Sequence, residues 1–255
     1  ASLFEYTRAF DGFDPSREGL EIAGDTIEQA RRDAPGELVD ALELAARRIE
    51  AFHEHQTERS WFVTEETGTI LGQKVTPLAR VGIYVPGGAN AFPSTLLMNV
   101  IPARIAGVKK IVVVSPTPAG RVSRALLAAA HIAGVERIYR IGGAQAVAAL
   151  AYGTERVPRV DKIVGPGNIY VAHAKRLLQG VVGIDSFAGP SEILVIADRG
   201  RSVLGCPRPP FPGRARSARI LRSRHPLGGA GSGRSGKDGR CPGKIATQSG
   251  YREIA

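Results

Sequence analysis

The chain has 255 residues, 43% of them hydrophobic, a mean hydropathy near zero and a formal net charge of +10 at pH 7. This length allows one large or two small domains with a packed core. The sequence contains no apolar run of about 18 residues, which argues against a membrane span, and its start lacks the layout of a signal peptide. We therefore expect a soluble, cytoplasmic protein, and because the only methionine is Met98 we expect the chain to begin inside a longer one.

Residues 1–75 are predicted to form a mostly helical N-terminal segment with short strands. Asp25 and Glu28 have the spacing of a capping box, which predicts a helix that continues to Arg32. Beyond the Pro35-Gly36 break, apolar residues recur at helical spacing and predict one long amphipathic helix. Trp61 to Gly72 is typical of a short pair of strands around a Thr-Gly-Thr turn.

Residues 76–198 are predicted to form a Rossmann-like α/β domain with a doubly wound parallel sheet. Continuous apolar strands alternate here with helices, as in sheets that are covered on both faces. Two of the helices end in the same tetrapeptide, at Ile105–Val108 and Ile132–Val135, whose glycine predicts a left-handed cap. The predicted strands are Arg80–Val85, Lys110–Ser115, Arg137–Ile141, Lys162–Val164 and Ile193–Ala197.

Three glycine-rich turns follow predicted strands of this domain. They are Tyr84–Asn90, Ile141–Gln145 and Gly165–Asn168. Ligands of open α/β sheets bind where strands end and helices begin, and glycine lets a phosphate approach the backbone N–H groups there. None of the turns has the spacing G-x-G-x-x-G, so a nucleotide site and plain tight turns both remain open.

Several segments resemble the signature sequences of the histidinol dehydrogenase family, in the order and approximate spacing of that family. The resemblance covers residues 1–198. The matching segments include VTPLARVGIYVPGG (Val75–Gly88), IGGAQAVAALAYGT (Ile141–Thr154), VDKIVGPGNIYV (Val160–Val171) and AGPSEILVIAD (Ala188–Asp198). The resemblance implies NAD-dependent oxidation of L-histidinol to L-histidine, which completes histidine biosynthesis, by a zinc-bound homodimer.

The resemblance also implies roles for four residues. Tyr84, Gln145 and Asn168 match the family residues that contact NAD, and each lies just past a predicted strand. Ser191 matches the serine that contacts the substrate. No residue of this chain matches the family's Glu-His catalytic pair or its zinc ligands, so we expect NAD as a cofactor but assign no catalytic and no metal-binding residue. We therefore interpret the chain as an incomplete histidinol dehydrogenase that is inactive alone.

The last part of the chain, residues 199–255, is predicted to be a disordered basic tail rich in Gly, Pro and Arg. Residues 1–200 carry 22 basic and 22 acidic side chains, whereas residues 201–255 carry 12 and 2. Such a composition cannot offset the entropy of ordering. We hypothesise that this tail is translated out of frame, and the nucleotide sequence around the Asp198 codon tests this idea.

The alternative is a non-enzymatic fragment or binding module whose basic tail attracts RNA or DNA. The tail has only two aromatic residues, Phe211 and Tyr251, which argues against a nucleic-acid partner. Salt-dependent retention on nucleic acid would favour this alternative, and histidinol-dependent formation of NADH would favour the enzyme.

Overall fold

The computed structural model describes residues 2–88 and 92–186 in full, together with the backbone of two further strands at 191–197 and 215–222. Backbone contacts divide the chain into two units, Ala1–Gly189 and Pro190–Ala255. The described α-helices are α1 (Ser2–Asp11), α2 (Pro15–Glu18), α3 (Gly24–Arg32), α4 (Gly36–Glu54), α5 (Pro93–Ile105), α6 (Arg124–Ile132), α7 (Gly143–Tyr152) and α8 (Ile169–Leu177), and a short 3₁₀ helix spans Pro118–Gly120. The described strands are β1 (Glu21–Ile22), β2 (Trp61–Thr64), β3 (Ile70–Gln73), β4 (Arg80–Tyr84), β5 (Lys110–Val114), β6 (Ile138–Tyr139), β7 (Lys162–Val164), β8 (Gly183–Ile184), β9 (Ser191–Ala197) and β10 (Ala215–Arg222).

The first unit is built around a six-stranded sheet in the order β1-β6-β5-β4-β7-β8. Five of its strands are parallel, and β1 adds to the edge at β6 in the antiparallel direction. The chain therefore winds outward from β4 through β5 to β6 and then returns to the other side of β4 with β7 and β8. This is the strand order of a doubly wound sheet, and the predicted Rossmann-like α/β fold is confirmed.

Successive residues of β5 enter two different cores because neighbouring side chains of a strand point to opposite faces. Val113 packs in the core that is covered by α3, α4, α5 and α6, whereas Val112 and Val114 pack in the core covered by α7 and α8. Valine is well suited to such a strand because its branched side chain packs closely against the pleated surface. The continuous apolar run of this strand is thus explained by burial on both faces.

The repeated tetrapeptide ends α5 and α6 in the same way. Gly107 and Gly134 have φ angles of +83° and +72°, which are left-handed values that glycine adopts without strain. The next residue donates its N–H back into the helix, from Val108 to Ala103 O and from Val135 to Ala130 O. The predicted caps are confirmed, and each sends the chain directly toward the next strand.

The N-terminal segment contains the predicted long helix, α4, and the predicted strand pair, β2 and β3, which is antiparallel. The capping box at Asp25 is wrong. Ala23 occupies the N-cap of α3 without a side-chain hydrogen bond, and Glu28 pairs with Arg32 instead. The carboxylate of Glu28, which the capping box would need, is instead engaged by Arg32, four residues further along the helix.

In the second unit, the predicted strand Ile193–Ala197 is present within β9. It is not part of the six-stranded sheet, where the sequence placed it, because it pairs in parallel with β10 in a separate two-stranded sheet. The register aligns Ile220 with Val195 and Leu221 with Ile196. Strand β10 lies inside the segment whose composition predicts disorder; the other residues of that segment lie outside the described part of the chain. Among the described residues, no helix is both long enough and apolar enough to span a bilayer.

Candidate dinucleotide site at the carboxyl edge of the sheet

The three glycine-rich turns lie at one edge of the six-stranded sheet, the first of them as far as Gly88, since residues 89 and 90 lie outside the described part of the chain. They follow β4, β6 and β7, and all three strands run in parallel. Strand β4 is the first of the parallel strands along the chain, with β5 on one side and β7 on the other. The strand order reverses between β4 and β7, so the topological switch point lies there. Crevices at such points are the usual binding sites of doubly wound folds.

Tyr84 connects the first turn to the second. It is the last residue of β4 and is 3% exposed, and its hydroxyl oxygen accepts a hydrogen bond of 3.0 Å from the backbone N–H of Gly143. Gly143 begins α7, so the tyrosine binds one of the N–H groups that a helix leaves without an internal partner. Burial raises the pKa of Tyr84 above its ordinary value, the Gly143 N–H opposes that shift, and the charge of Asp11 adds to it. The phenol is therefore neutral at physiological pH.

Tyr84 also contacts the third turn, through its main chain. Gly165 has a φ of +104°, and a Cβ atom at this position would lie 2.1 Å from the carbonyl oxygen of Tyr84. Only glycine fits such an approach, because real Cβ atoms do not come so close to a backbone oxygen. The side chain and the main chain of one residue therefore fix the relative positions of all three turns.

Gln145 lies in the first turn of α7, and its half-buried side chain lies over Gly143. A Cβ atom on Gly143 would come within 2.6 Å of the Gln145 side-chain oxygen, and the φ of Gly143 is +67°. The glycine thus leaves room for the glutamine amide directly beside the N-terminus of α7.

Asn168 is the N-cap of α8. Its side-chain oxygen accepts a hydrogen bond of 3.0 Å from the backbone N–H of Val171, and the residue is exposed. Asparagine is among the best N-cap residues because its oxygen satisfies one of the helix's orphan donors. Since the oxygen is engaged in this way, the NH₂ group is the part of the side chain that is suited to contact a ligand.

Sequence reasoning missed two hydroxyl groups that follow β5. Ser115 and Thr117 are each 1% exposed, and within the described part of the chain their Oγ and Oγ1 atoms have no hydrogen-bond partner. A buried polar atom without a hydrogen-bond partner lowers the stability of the fold by about 1–3 kcal/mol. These two hydroxyl groups are therefore free to form hydrogen bonds with a bound ligand. The signal was present in the sequence, as two hydroxyl residues around a proline at a strand end.

Asp11, from the N-terminal segment, reaches the same region. Its Oδ2 atom is buried and has no partner among the described residues. Burial raises the pKa of this carboxyl group, and the backbone N–H of Thr117 opposes that shift. The acidic group comes from α1 and not from the sheet, so strand-by-strand reading of the sequence could not place it here.

Two features that the family resemblance implies remain to be located, namely Ser191 and a zinc site. Ser191 is the first residue of β9, and its side chain lies outside the described residues. Within residues 2–88 and 92–186, no three His, Cys, Asp or Glu side chains lie together as a set of metal ligands. The described donors therefore do not form a zinc site.

A cavity of about 600 Å³ lies away from these turns, at the amino edge of the sheet. Its lining includes Arg80 and Arg104. The guanidinium groups of both already donate to carbonyl oxygens, Arg80 to Arg159 and Arg104 to Ala133. Helices also end at this edge, where the backbone dipole disfavours anions. The carboxyl edge is thus the better candidate for a phosphate-containing ligand.

Comparison with known proteins identifies the family. The sequence profile of histidinol dehydrogenase matches residues 1–203. The chain is 58% identical over 197 residues to a histidinol dehydrogenase of Syntrophotalea carbinolica, which covers 77% of this chain and 46% of that protein. It is 57% identical over 206 residues to one of Pseudomonas aeruginosa, which covers 78% of this chain and 45% of that protein.

A solved structure agrees with these sequence matches. The crystal structure of histidinol dehydrogenase from Elizabethkingia anophelis superposes with a TM-score of 0.72 at 40% identity, over 78% of this chain and 46% of that one. The chain therefore spans just under half the length of each of these relatives. Because the family profile extends over most of the sequence, the chain belongs to the histidinol dehydrogenase family.

Proposed function

We propose that this chain provides the NAD-binding half of a histidinol dehydrogenase, which oxidises L-histidinol to L-histidine in histidine biosynthesis. The observation that carries the proposal is the convergence of three glycine-rich turns on Tyr84, through its hydrogen bond to Gly143 and its contact with Gly165. The family of the relatives supports the reaction. The chain spans less than half the length of each relative. We therefore propose the oxidation of histidinol for a full-length histidinol dehydrogenase and not for this chain alone.

The residues at the carboxyl edge fit a dinucleotide. The N-termini of α7 and α8 present backbone N–H groups of the kind that bind phosphate. Tyr84, Gln145 and Asn168 add a hydroxyl and two amides around them, and the unpartnered hydroxyls of Ser115 and Thr117 provide further polar contacts. When bound, NAD supplies the acceptor for the hydride that leaves the alcohol. The role of these side chains is to hold and orient the cofactor.

The substrate side of the site is proposed from the family alone. Ser191 is proposed to contact histidinol, and the family implies a homodimer that binds zinc. The described residues do not present a set of zinc ligands, so we derive no step of the reaction from the metal.

Titration with NAD tests the proposal through two substitutions. Gln145→Ala removes an amide from α7 without harming the helix, since alanine is a good helix former. Asn168→Ser keeps an oxygen that can cap α8 but removes the NH₂ group. We expect each variant to bind NAD about fivefold more weakly, which corresponds to one lost hydrogen bond of about 1 kcal/mol.

A matched control separates this effect from a general one. Gln29 lies on α3, where its side chain bonds only Asp33 among the described residues, and we expect Gln29→Ala to leave the NAD affinity unchanged. If Gln145→Ala and Asn168→Ser bind NAD as tightly as the Gln29→Ala control, these two side chains do not belong to the site.

A further inference from the structure

One lysine of the first unit is buried beside the proposed cofactor site. Lys175 lies on α8 and is only 3% exposed. Its ammonium group donates to the carbonyl oxygen of Gly165 at 2.5 Å and to a carboxylate oxygen of Asp185 at 2.7 Å. A buried ammonium is costly unless it is paired and hydrogen-bonded, so the position of this side chain is closely specified by its two partners.

Asp185 completes the arrangement from the other side. It follows β8, and its second carboxylate oxygen accepts a hydrogen bond of 2.8 Å from the backbone N–H of Gly165. Both polar backbone groups of Gly165 are therefore bound by one ion pair, which we call the Lys175–Asp185 clamp. The clamp joins α8 and the end of β8 to the glycine that contacts the main chain of Tyr84.

The clamp acts on the turn that leads to Asn168. Gly165 has a φ of +104°, but glycine adopts many backbone conformations. Without further contacts, this turn would be free to adopt other conformations. Fixing the N–H and the carbonyl of Gly165 removes that freedom three residues before the N-cap of α8. Buried ion pairs contribute little net stability compared with apolar pairs of similar volume, which points to a positional role for this one.

We propose that Lys175 and Asp185 are positioning residues that hold the Gly165–Asn168 turn in the conformation that binds NAD. This inference rests on the proposed function, and it adds two residues that do not themselves contact the cofactor. The first test is the NAD affinity of Lys175→Met in the full chain, which loses both hydrogen bonds of the ammonium group. We expect the Kd for NAD to rise about tenfold.

A double variant separates the effect of the Lys175–Asp185 clamp on the conformation of the turn from its effect on thermal stability. Lys175→Met alone leaves a carboxylate without its cation, whereas Lys175→Met with Asp185→Leu replaces the whole pair by apolar side chains. We expect the double variant to recover thermal stability, because uncompensated charge is removed, but to keep the raised Kd, because Gly165 stays unbound. Leu42→Ala, in the core on the opposite face of the sheet, provides a destabilised control whose Kd should change less than twofold.

Amide hydrogen exchange supplies a readout without NAD. The Val171 N–H is bound to the Asn168 side chain, and its exchange should be faster in Lys175→Met and in the double variant but unchanged in Leu42→Ala. The inference is overturned if the wild-type chain binds NAD and the double variant binds it equally well, or if affinity simply follows stability across all variants. A wild-type chain that binds no NAD would instead contradict the proposed function, and the inference would fall with it.

Discussion

Replacing Gly165 with alanine is expected to destabilise the first unit by about 2–5 kcal/mol and to abolish NAD binding. A left-handed backbone costs a residue with a Cβ atom about 1–2 kcal/mol, and overpacking adds about 1–3 kcal/mol. The second cost arises because the new Cβ atom would lie 2.1 Å from the carbonyl oxygen of Tyr84. Relief of this contact requires the third turn to move away from β4, and Asn168 moves with it. Urea unfolding and an NAD titration measure the two effects.

Gly180 provides a matched control for this substitution. Its φ is +96°, close to that of Gly165, but no atom lies within 4 Å of the position where a Cβ would be. Gly180→Ala should therefore show only the backbone cost of about 1–2 kcal/mol and should keep the NAD affinity. Equal destabilisation by the two substitutions would show that the contact between Gly165 and Tyr84 is not close in solution.

The second large effect concerns turnover. We expect the purified 255-residue chain to form no NADH from histidinol above background, with or without added zinc. Removal of a hydroxyl proton by a positioned base contributes about 10²–10⁴-fold in rate, and the orientation of the substrate contributes further. The family resemblance implies a Glu-His pair as the source of this base, and we expect this chain to lack it because His225 is the only histidine of the sequence after His173.

The histidinol dehydrogenase of Pseudomonas aeruginosa, assayed in parallel, provides the positive control for this measurement. Turnover by the present chain at a rate comparable with that of the control would refute the expectation. His173, His225 and Glu192, which follows Ser191 in the sequence, would then be the first residues to substitute.

The strands that line the site could be predicted from sequence because their apolar runs are long enough to be distinctive. Lys110–Val114 is an example, since burial on both faces demands apolar residues at consecutive positions. The two-residue strand β6 was predicted as part of the longer segment Arg137–Ile141, whereas the equally short edge strands β1 and β8 were not predicted. Their pairing depends on edges of the sheet that exist only after the other strands have assembled.

The location of the candidate site could be predicted from the sequence, but its internal contacts could not. The three turns were expected at the ligand-binding edge because each follows a strand of a doubly wound sheet, whereas Tyr84, Gln145 and Asn168 were selected by the family resemblance. The bond from Gly143 to Tyr84 joins residues 59 positions apart, and local sequence does not encode such a partner. Lys175 was missed for a related reason, because lysine is rarely buried and its burial follows from two acceptors that the fold brings to it.

Mapping backbone amide signals by NMR during an NAD titration tests most directly whether NAD binds at the carboxyl edge of the six-stranded sheet. We expect the signals of Gly143, Gly165 and Asn168 to shift together and saturably, whereas those of Lys109 and Lys110 at the amino edge stay in place. Saturable shifts confined to the amino edge, or no shift at any of the three turn residues at millimolar NAD, would contradict this expectation.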